Sequence, residues 1–441
     1  MTTEFVSTYP AHIETVRERF DRALAETGFD RAVIYSGGFR AHFLDDSNAH
    51  FRVNPHFNTW LPVVDNPDCF IVYEPGTTPI LLFHRPVDFW YKPPGEPSGY
   101  WPEHFDIRFV TSLDDAKRQM PAATSRSALI GESGGRFADW GLGEPNPQAL
   151  LNRLHYERAY KTDYELDCMR MANRRGVRGH LAAAQAFRDG ASEFQILLAF
   201  LEATGHTQEE LPYSAIIALN EHAATLHYQL FNHEHTVARH SFLIDSGAST
   251  HGYASDITRT YSAEDDEFAE LIAALDKAQQ TLAGSVTAGL DYRELHLRAH
   301  EVIAQLLAQF EFVHLEPGAI VATGISSTFL PHGLGHFLGL QVHDVGGFLK
   351  NRDGETIPQP DGHPFLRLTR TLESREVLTI EPGLYFIEPL LDKLKQSGNG
   401  RHVNWKKVDA FRRYGGIRIE DNVVVTDSVP ENMTRDAFAA A

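Results

Sequence analysis

Two aspartates in one stretch of the chain are the first residues that could carry chemistry. Asp245 and Asp256 lie within residues 242–261 (FLIDSGASTHGYASDITRTY), which read as two strands joined by a short Gly/Ser-rich turn. Side chains alternate along a strand, so a hairpin can bring both carboxylates to the same end of one sheet face. Two close carboxylates repel each other and need either a cation or a shared proton. The stretch therefore indicates a metal site or an acid–base pair.

Two further acids and a histidine in the second half of the chain favour the metal site. Glu381 and Glu420 each follow a run of apolar residues, and His336 lies between glycines in residues 331–339 (PHGLGHFLG). Four carboxylates buried together without cations would each cost several kcal/mol. Two divalent ions would supply the compensating positive charge, with a neutral imidazole as the one nitrogen ligand.

The donor set restricts the metal and the reaction. Oxygen-rich ligation with a single imidazole favours Mn²⁺, with Co²⁺ or Zn²⁺ as alternatives, over a zinc site made of thiolates. Two divalent ions about 3.5–4 Å apart can hold a bridging hydroxide and polarise a carbonyl group. The pattern therefore predicts a hydrolase.

The composition bounds what kind of protein carries this site. A chain of 441 residues is long enough for two domains, and 42% apolar and 22% charged residues describe a folded protein. The net charge of −19 argues against nucleic acid or an anionic membrane surface as a partner. Two cysteines, Cys69 and Cys168, give no disulfide framework, and we find neither a signal sequence nor an apolar membrane span. We expect a cytoplasmic protein.

The first predicted domain, residues 1–160, is small and mixes helices with strands. Apolar residues have helical spacing over residues 11–27, and Gly28 ends that helix. Strand-like runs follow at 32–35, 69–73, 79–83, 107–110 and 128–131, with helical segments near 113–120 and 147–159.

An aromatic and Pro-rich stretch interrupts this domain between residues 56–60 and 89–94. One interpretation is a surface loop that packs on its own domain or on a second subunit. The other is a rim over an active site elsewhere, with Trp90 or a nearby aromatic residue as a wall.

The second predicted domain, residues 161–441, begins with a long helix. Thr162 and Glu165 form a capping box, and the helix continues to about residue 188. Ser192 caps a second helix. Two amphipathic helices at 265–282 and 291–310, together with several strand-like runs, predict an α+β domain.

The segments around the acids and His336 resemble those of a known family. PHGLGHFLG, LTIEPG (residues 378–383) and GIRIED (residues 416–421) look like signatures of the proline dipeptidases of the pita-bread metallopeptidase family. Aminopeptidase P and methionine aminopeptidase belong to the same family. The resemblance extends over essentially the whole chain. It implies a pita-bread (creatinase/aminopeptidase-like) C-terminal domain, two divalent metal ions per subunit and a homodimer.

The resemblance also implies a role for each metal-binding position. Asp245 would chelate one metal, and His336 and Glu381 would hold the other. Asp256 and Glu420 would bridge both.

Other residues resemble the family's substrate-side groups. Glu381 would also carry the proton between the nucleophile and the leaving nitrogen. His227 and His343 would hydrogen-bond the scissile amide and the intermediate, and His332 is a candidate for the same pocket.

Two arginines are candidates for contact with the substrate. Arg367 is similar in position to an arginine that binds the terminal carboxylate, for which a guanidinium fork is well suited. Arg418 is an alternative for that role, or else a partner of the bridging carboxylates, because it shares a strand face with Glu420.

The implied activity is that of an Xaa-Pro dipeptidase. A metal-bridging hydroxide would attack the carbonyl before proline, and Glu381 would pass the proton to the imide nitrogen. The N-terminal domain, of this or of a second subunit, would restrict the site to short substrates.

Four alternatives stand beside this hypothesis. An aminopeptidase P would also cleave a tripeptide such as Ala-Pro-Ala, and a dinuclear site could hydrolyse organophosphorus esters as a side activity. A metal-free binding module and a metal-free creatinase-like hydrolase are both disfavoured, because all five ligand positions are filled.

Overall fold

The chain forms two compact units. The structure is a computed structural model that describes residues 3–122, 124, 126–132 and 135–441. The first unit comprises Met1–Cys168 with Asn351–Glu355, and the second Met169–Lys350 with Thr356–Ala441. The chain thus has the two compact parts that the sequence indicates, although a domain boundary at residue 160 stays a prediction.

The first unit is built around a mixed sheet of six strands in the described residues, in the order β4-β3-β2-β1-β5-β6. Strand β1 pairs antiparallel with β2 and parallel with β5. Its elements are α1 (Thr3–Thr27), β1 (Arg31–Tyr35), α2 (Pro55–Asn58), β2 (Phe70–Tyr73), β3 (Ile80–His84), β4 (Asp106–Val110), α3 (Leu113–Gln119), β5 (Ser127–Ile130), β6 (Glu144–Pro145) and α4 (Gln148–Arg158).

The strands predicted for the first unit are present, and burial accounts for the early start of its first helix. The five runs predicted as strands all form strands, β1 to β5, and β1, β2 and β5 are buried along their whole length. Helix α1 begins at Thr3, earlier than the predicted residue 11, and contains Pro10. Phe5 and Tyr9 continue its buried face at helical spacing, and their burial compensates for the hydrogen bond that a proline removes.

The second unit surrounds several small sheets with helices. Its three-stranded sheets have the orders β11-β8-β7 and β12-β15-β16, and β9 pairs with β10 and β13 with β14. Helix α5 contains the division between the units. The elements are α5 (Asp163–Arg188), α6 (Glu193–Thr204), β7 (Ile216–Leu219), β8 (Ser241–Asp245), β9 (Ser249–Thr250), β10 (Tyr253–Ala254), β11 (Thr258–Ser262), α7 (Glu267–Gly284), α8 (Tyr292–Gln309), α9 (Pro317–Ala322), α10 (Ile325–Phe329), β12 (Val377–Ile380), β13 (Gly383–Tyr385), α11 (Glu388–Gln396), α12 (Trp405–Phe411), β14 (Gly416–Arg418), β15 (Asp421–Val424), β16 (Glu431–Asn432) and α13 (Met433–Ala439).

The predicted helix starts are confirmed by their caps. The backbone N–H of Thr162 donates to Glu165 Oε2 at 2.8 Å, and the N–H of Glu165 donates to Thr162 Oγ1 at 3.4 Å. Ser192 and Gln195 make the same reciprocal pair at the start of α6. These bonds satisfy backbone donors that a helix start otherwise leaves unpaired.

The connection between β8 and β11 differs from the prediction. Instead of a short Gly/Ser-rich turn, it contains the small hairpin β9-β10. His251 and Gly252 turn this hairpin with φ angles of 54° and 88°, as the two-residue turns with left-handed residues do. The ladder between β8 and β11 pairs Asp245 with Thr258, so that Asp256 lies just before β11 begins.

Cys69 and Cys168 are buried and make no disulfide, and burial raises the pKa of Cys69 to about 12. Among the described helices, none combines the length and the apolar character needed to cross a bilayer.

The packing of α5 on α6 leaves no space for a side chain at Gly179. A Cβ there would lie 2.6 Å from the Phe200 ring and from Thr204 Cγ2. We expect Gly179→Ala to lower the free energy of unfolding by about 1–3 kcal/mol, measured by urea denaturation.

Gly284→Ala is the control for this substitution. It adds the same methyl group to α7, where a Cβ meets nothing within 4 Å. A stability equal to that of the wild type in both variants would contradict this account of the packing.

Candidate metal centre

Acidic side chains and one histidine meet inside the second unit. Asp256, His336 and Glu420 are buried, and one ligand atom of each lies within 4.8 Å of the other two. His336 Nε2 lies 3.4 Å from Asp256 Oδ2 and 3.5 Å from Glu381 Oε1. Asp245 adjoins the group through a shared hydroxyl partner, Tyr213. The structure thus brings together the five residues that the sequence proposed as ligands.

Main-chain hydrogen bonds hold the His336 loop beside β12. The N–H of Thr379 donates to the carbonyl of His336 at 2.9 Å, and the N–H of Glu381 donates to the carbonyl of Leu334 at 2.8 Å. At Gly335, a Cβ would overlap the carbonyl oxygen of Thr379. The glycine before His336 therefore allows the close approach that places its imidazole next to Glu381.

A second pair of segments carries Asp256 and Glu420. The N–H of Glu420 donates to the carbonyl of Thr258 at 3.0 Å. The N–H of Asp256 donates to Asn422 Oδ1 at 3.0 Å, and the Asn422 amide donates back to the carbonyl of Asp256. Each carboxylate is thereby fixed to the backbone that carries the other.

Tyr213 links two carboxylates and was not found from the sequence. Its hydroxyl lies 2.8 Å from Asp245 Oδ1 and 2.5 Å from Asp256 Oδ1. A single tyrosine before β7 has no spacing relation to the aspartates, so the chain offered no signal for this contact.

Arg418 is buried and engaged within the centre. Its Nη2 donates to Asp245 Oδ2 at 2.7 Å, its Nη1 to the hydroxyl of Tyr385 at 2.9 Å, and its Nε to Thr258 Oγ1 at 3.2 Å. The Thr258 hydroxyl in turn donates to Glu420 Oε2 at 2.6 Å. These contacts place Arg418 as a partner of the carboxylates, and Tyr385 is a second member that the sequence did not indicate.

The crowding of negative charge shifts the proton affinity of the group. Burial, with Asp256 adding to it and His336 opposing it, raises the pKa of Glu381 to about 7. Burial also raises the pKa of Asp245 against the effect of Arg418, and burial together with the neighbouring carboxylates raises the pKa of Glu420 well above its usual range. Burial and the mutual repulsion of the carboxylates thus both disfavour the fully ionised cluster, and a bound cation would oppose both effects.

The donor atoms fit divalent cations. Nδ1 of His336 lies 2.9 Å from the carbonyl of Phe337 and donates to it, which leaves the lone pair of Nε2 facing the carboxylates. Four carboxylates and one imidazole form an oxygen-rich set, the kind that Mn²⁺ and related ions prefer.

The predicted substrate-side histidines lie near this cluster. The ring centroid of His343 is 4.4 Å from that of His336, and partial burial, with His336 and Arg367 nearby, lowers the pKa of His343 to about 4. His332 Nε2 lies 2.8 Å from the hydroxyl of Tyr385, and its Nδ1 lies 3.8 Å from Glu381 Oε2. His227 is exposed and lies close enough to His332 and His343 to influence the pKa of each.

Arg367 and Trp90 lie at exposed positions. Arg367 is close enough to His343 to influence its pKa. Trp90 belongs to the first unit, is 78% exposed and has its ring centroid 4.9 Å from that of Phe89. Contact of either residue with a substrate stays a prediction.

Two family models match the chain in sequence. "Xaa-Pro dipeptidase, N-terminal domain" matches residues 7–156, and "Metallopeptidase family M24" matches residues 167–427. The chain belongs to metallopeptidase family M24. This membership confirms the predicted resemblance and the order of the two domains.

Two Xaa-Pro dipeptidases from other organisms are similar to this chain over nearly its whole length. The Xaa-Pro dipeptidase of Stenotrophomonas maltophilia (strain K279a) is 48% identical over 434 residues, covering 98% of each chain. The Xaa-Pro dipeptidase of Shewanella putrefaciens (strain CN-32) is 49% identical over 428 residues, covering 97% of each chain.

Solved structures confirm the fold class of the M24 protein. A zinc-substituted aminopeptidase P of E. coli in complex with product has a TM-score of 0.70 at 22% identity, covering 96% of this chain and 95% of that one. An aminopeptidase of Pseudomonas aeruginosa has a TM-score of 0.73 at 22% identity, covering 97% and 98%. The predicted α+β pita-bread architecture is therefore confirmed.

The hydroxyl of Tyr213 provides a test of the centre. We expect Tyr213→Phe to weaken Mn²⁺ binding by about 10–100-fold, because two carboxylates lose the partner that orients them. Equilibrium dialysis with metal analysis measures the change.

Tyr261→Phe is the matched control, because it removes a hydroxyl from β11 and keeps the ring that stacks on Phe242. Equal Mn²⁺ affinity in both variants would show that Tyr213 does not support the centre.

Proposed function

We propose that this protein is a metal-dependent Xaa-Pro dipeptidase. One observation carries the proposal: four carboxylates and an imidazole, with Asp256, His336 and Glu420 buried, lie together in a chain that matches an M24 domain and an Xaa-Pro dipeptidase N-terminal domain. Relatives named Xaa-Pro dipeptidase, 48% and 49% identical over nearly the full length, support the same reading.

The cluster would hold two divalent ions, and we propose Mn²⁺ for both. The oxygen-rich donor set supports this choice. The proposed ligands are Asp245, Asp256, His336, Glu381 and Glu420. Bound there, the ions would supply Lewis-acid polarisation of the scissile carbonyl and a reactive water at neutral pH.

Glu381 is the residue proposed to move the proton. The nitrogen of an Xaa-Pro bond has no hydrogen, so it must gain a proton before it leaves as proline. Glu381 lies 3.5 Å from His336 and 3.8 Å from His332, at the side of the cluster that faces the substrate-side histidines. A carboxylate in this place can take a proton from the attacking water and give it to the leaving nitrogen.

The nearby histidines are proposed to hold the substrate. His343 is neutral at pH 7, because its pKa is about 4, so one ring nitrogen carries a hydrogen that it can donate to the developing oxyanion. His332 is fixed by its hydrogen bond to Tyr385. His227 completes the group on the exposed side.

The two arginines are proposed to have different roles. Arg367 is exposed beside His343, where its guanidinium is free to pair with the carboxylate of the substrate's proline. Arg418 is already bonded to Asp245 and Tyr385, so we assign it to positioning the carboxylates. Trp90 is proposed as a wall of the site supplied by a second copy of the chain.

Dimer formation and location complete the proposal. Several large apolar side chains of the first unit are exposed, including Phe43 at 92%, Leu44 at 91% and Phe89 at 86%. We take their exposure as support for a homodimer, in which a partner would cover such side chains. The unpaired, buried cysteines support a reducing cytoplasm. Hydrolysis of organophosphorus esters stays a prediction from the resemblance.

Peptide hydrolysis after removal of metal tests the function. We expect the metal-stripped protein to be inactive on Ala-Pro and to recover on addition of Mn²⁺, whereas Ala-Pro-Ala stays intact in both states. The release of proline measures the first reaction and chromatography of the tripeptide the second.

Variants at two glutamates test the proposed role of Glu381 in proton transfer. We expect Glu381→Gln to lower the rate with Mn²⁺ by about 10²–10⁴-fold, the usual contribution of a positioned acid or base. Glu388→Gln, an exposed acid on α11, is the control and should keep wild-type activity. Cleavage of the tripeptide would move the assignment to aminopeptidase P, and no metal-dependent cleavage of either peptide would refute the proposal.

A further inference from the structure

Three histidines meet in the second unit outside the carboxylate cluster. His296 and His300 lie one turn apart on α8, and His363 lies in the segment before β12. One ring nitrogen of each lies within 4.8 Å of the other two, and His296 Nε2 is 2.9 Å from His363 Nδ1. The ring centroids are 4.5–4.8 Å apart. Three imidazole nitrogens that converge from two separate segments can act together as ligands of one metal ion.

Hydrogen bonding leaves this histidine cluster incomplete. His296 and His300 are each only 1% exposed. Within the described residues, neither Nδ1 of His296 nor Nε2 of His300 has a hydrogen-bond partner. Nδ1 of His300 lies 3.2 Å from Ser326 Oγ, a contact that fixes its ring and leaves Nε2 for another ligand. A buried nitrogen without a partner is costly, and a cation bound by Nε2 of His300 would remove that cost at this atom. His296 would offer its other nitrogen, Nε2, which faces His363.

The charge state of the histidines suits ligation. Burial, with the other histidines adding to it, lowers the pKa of His296 to about 2 and that of His300 to about 4. Burial also lowers the pKa of His363. At neutral pH the rings are therefore uncharged, and a neutral imidazole is the form that binds a metal.

The ligand type separates this cluster from the carboxylate centre. Imidazole nitrogens favour Zn²⁺ and Cu²⁺, whereas carboxylate oxygens favour Mn²⁺. The i and i+4 spacing on α8 presents two rings on one helix face. His363 is partly exposed and provides a path for an ion from solvent.

We propose that His296, His300 and His363 form a third metal site, which takes one Zn²⁺ and is distinct from the five-residue centre. A zinc ion there would join α8 to the segment that carries His363. Three protein ligands leave a fourth position, which solvent can fill. The site does not depend on peptidase activity.

Zinc binding by the Mn²⁺-loaded protein tests the site. The protein is saturated with Mn²⁺, dialysed against Zn²⁺ with Mn²⁺ still present, and analysed for both metals. We expect one Zn²⁺ per chain with the Mn²⁺ content retained, and a rise in the melting temperature with Zn²⁺. His363→Asn and His300→Gln should each weaken this zinc binding at least tenfold and remove the rise in melting temperature.

His314→Asn is the matched control, because it removes an exposed histidine from the same unit. Circular dichroism and the retained Mn²⁺ content show that each variant is folded. If His300→Gln does not fold, His363→Asn decides the question, because His363 is only partly buried. Zinc that only replaces Mn²⁺, or an additional zinc that remains in the folded His363→Asn variant, would overturn the proposal.

Discussion

Repulsion between buried carboxylates is the constraint on which the second unit depends. Asp245, Asp256, Glu381 and Glu420 come from four segments of the chain, and main-chain hydrogen bonds fix each segment in place. The fixed backbones, together with the hydrogen bonds that Tyr213, Thr258 and Arg418 make to the carboxylates, restrict how far the side chains can move apart. Arg418 supplies one positive charge within this group, while burial and then the neighbouring carboxylates raise the pKa of Asp245, Glu381 and Glu420. Divalent cations are the natural compensation, and the same charge that stabilises the cluster is suited to activate a carbonyl and a water.

The hydrogen bonds around the cluster determine where each carboxylate oxygen points. Tyr213 holds two aspartates, Thr258 holds Glu420, and Arg418 joins Asp245 to Tyr385. Tyr385 also holds His332, so a single chain of contacts runs from a proposed metal ligand to a proposed substrate contact. Such outer contacts orient ligands and tune their basicity. Arg418 is therefore assigned to positioning Asp245 and Tyr385, and not to binding the substrate's carboxylate.

The sequence draws attention to the four acids because an acid at the end of an apolar strand is unusual. It points to His336 through the glycines beside it and through the resemblance of residues 331–339 to the family's segment. It does not predict Tyr213 or Tyr385, since a single tyrosine has no spacing relation to the groups it contacts. Strands β9 and β10 were missed because two-residue strands are too short to show alternation. The histidine cluster was missed for a different reason: His363 comes from a segment far along the chain from α8, and only the tertiary structure brings it there.

Occupancy of the carboxylate cluster by two metal ions can be measured by anomalous X-ray diffraction at the manganese edge, from crystals grown with Mn²⁺. We expect two strong peaks per chain, each within about 2.0–2.6 Å of oxygen or nitrogen ligands from the five residues, as is usual for such divalent ions. The absence of peaks there, with Mn²⁺ bound elsewhere or not at all, would contradict this expectation.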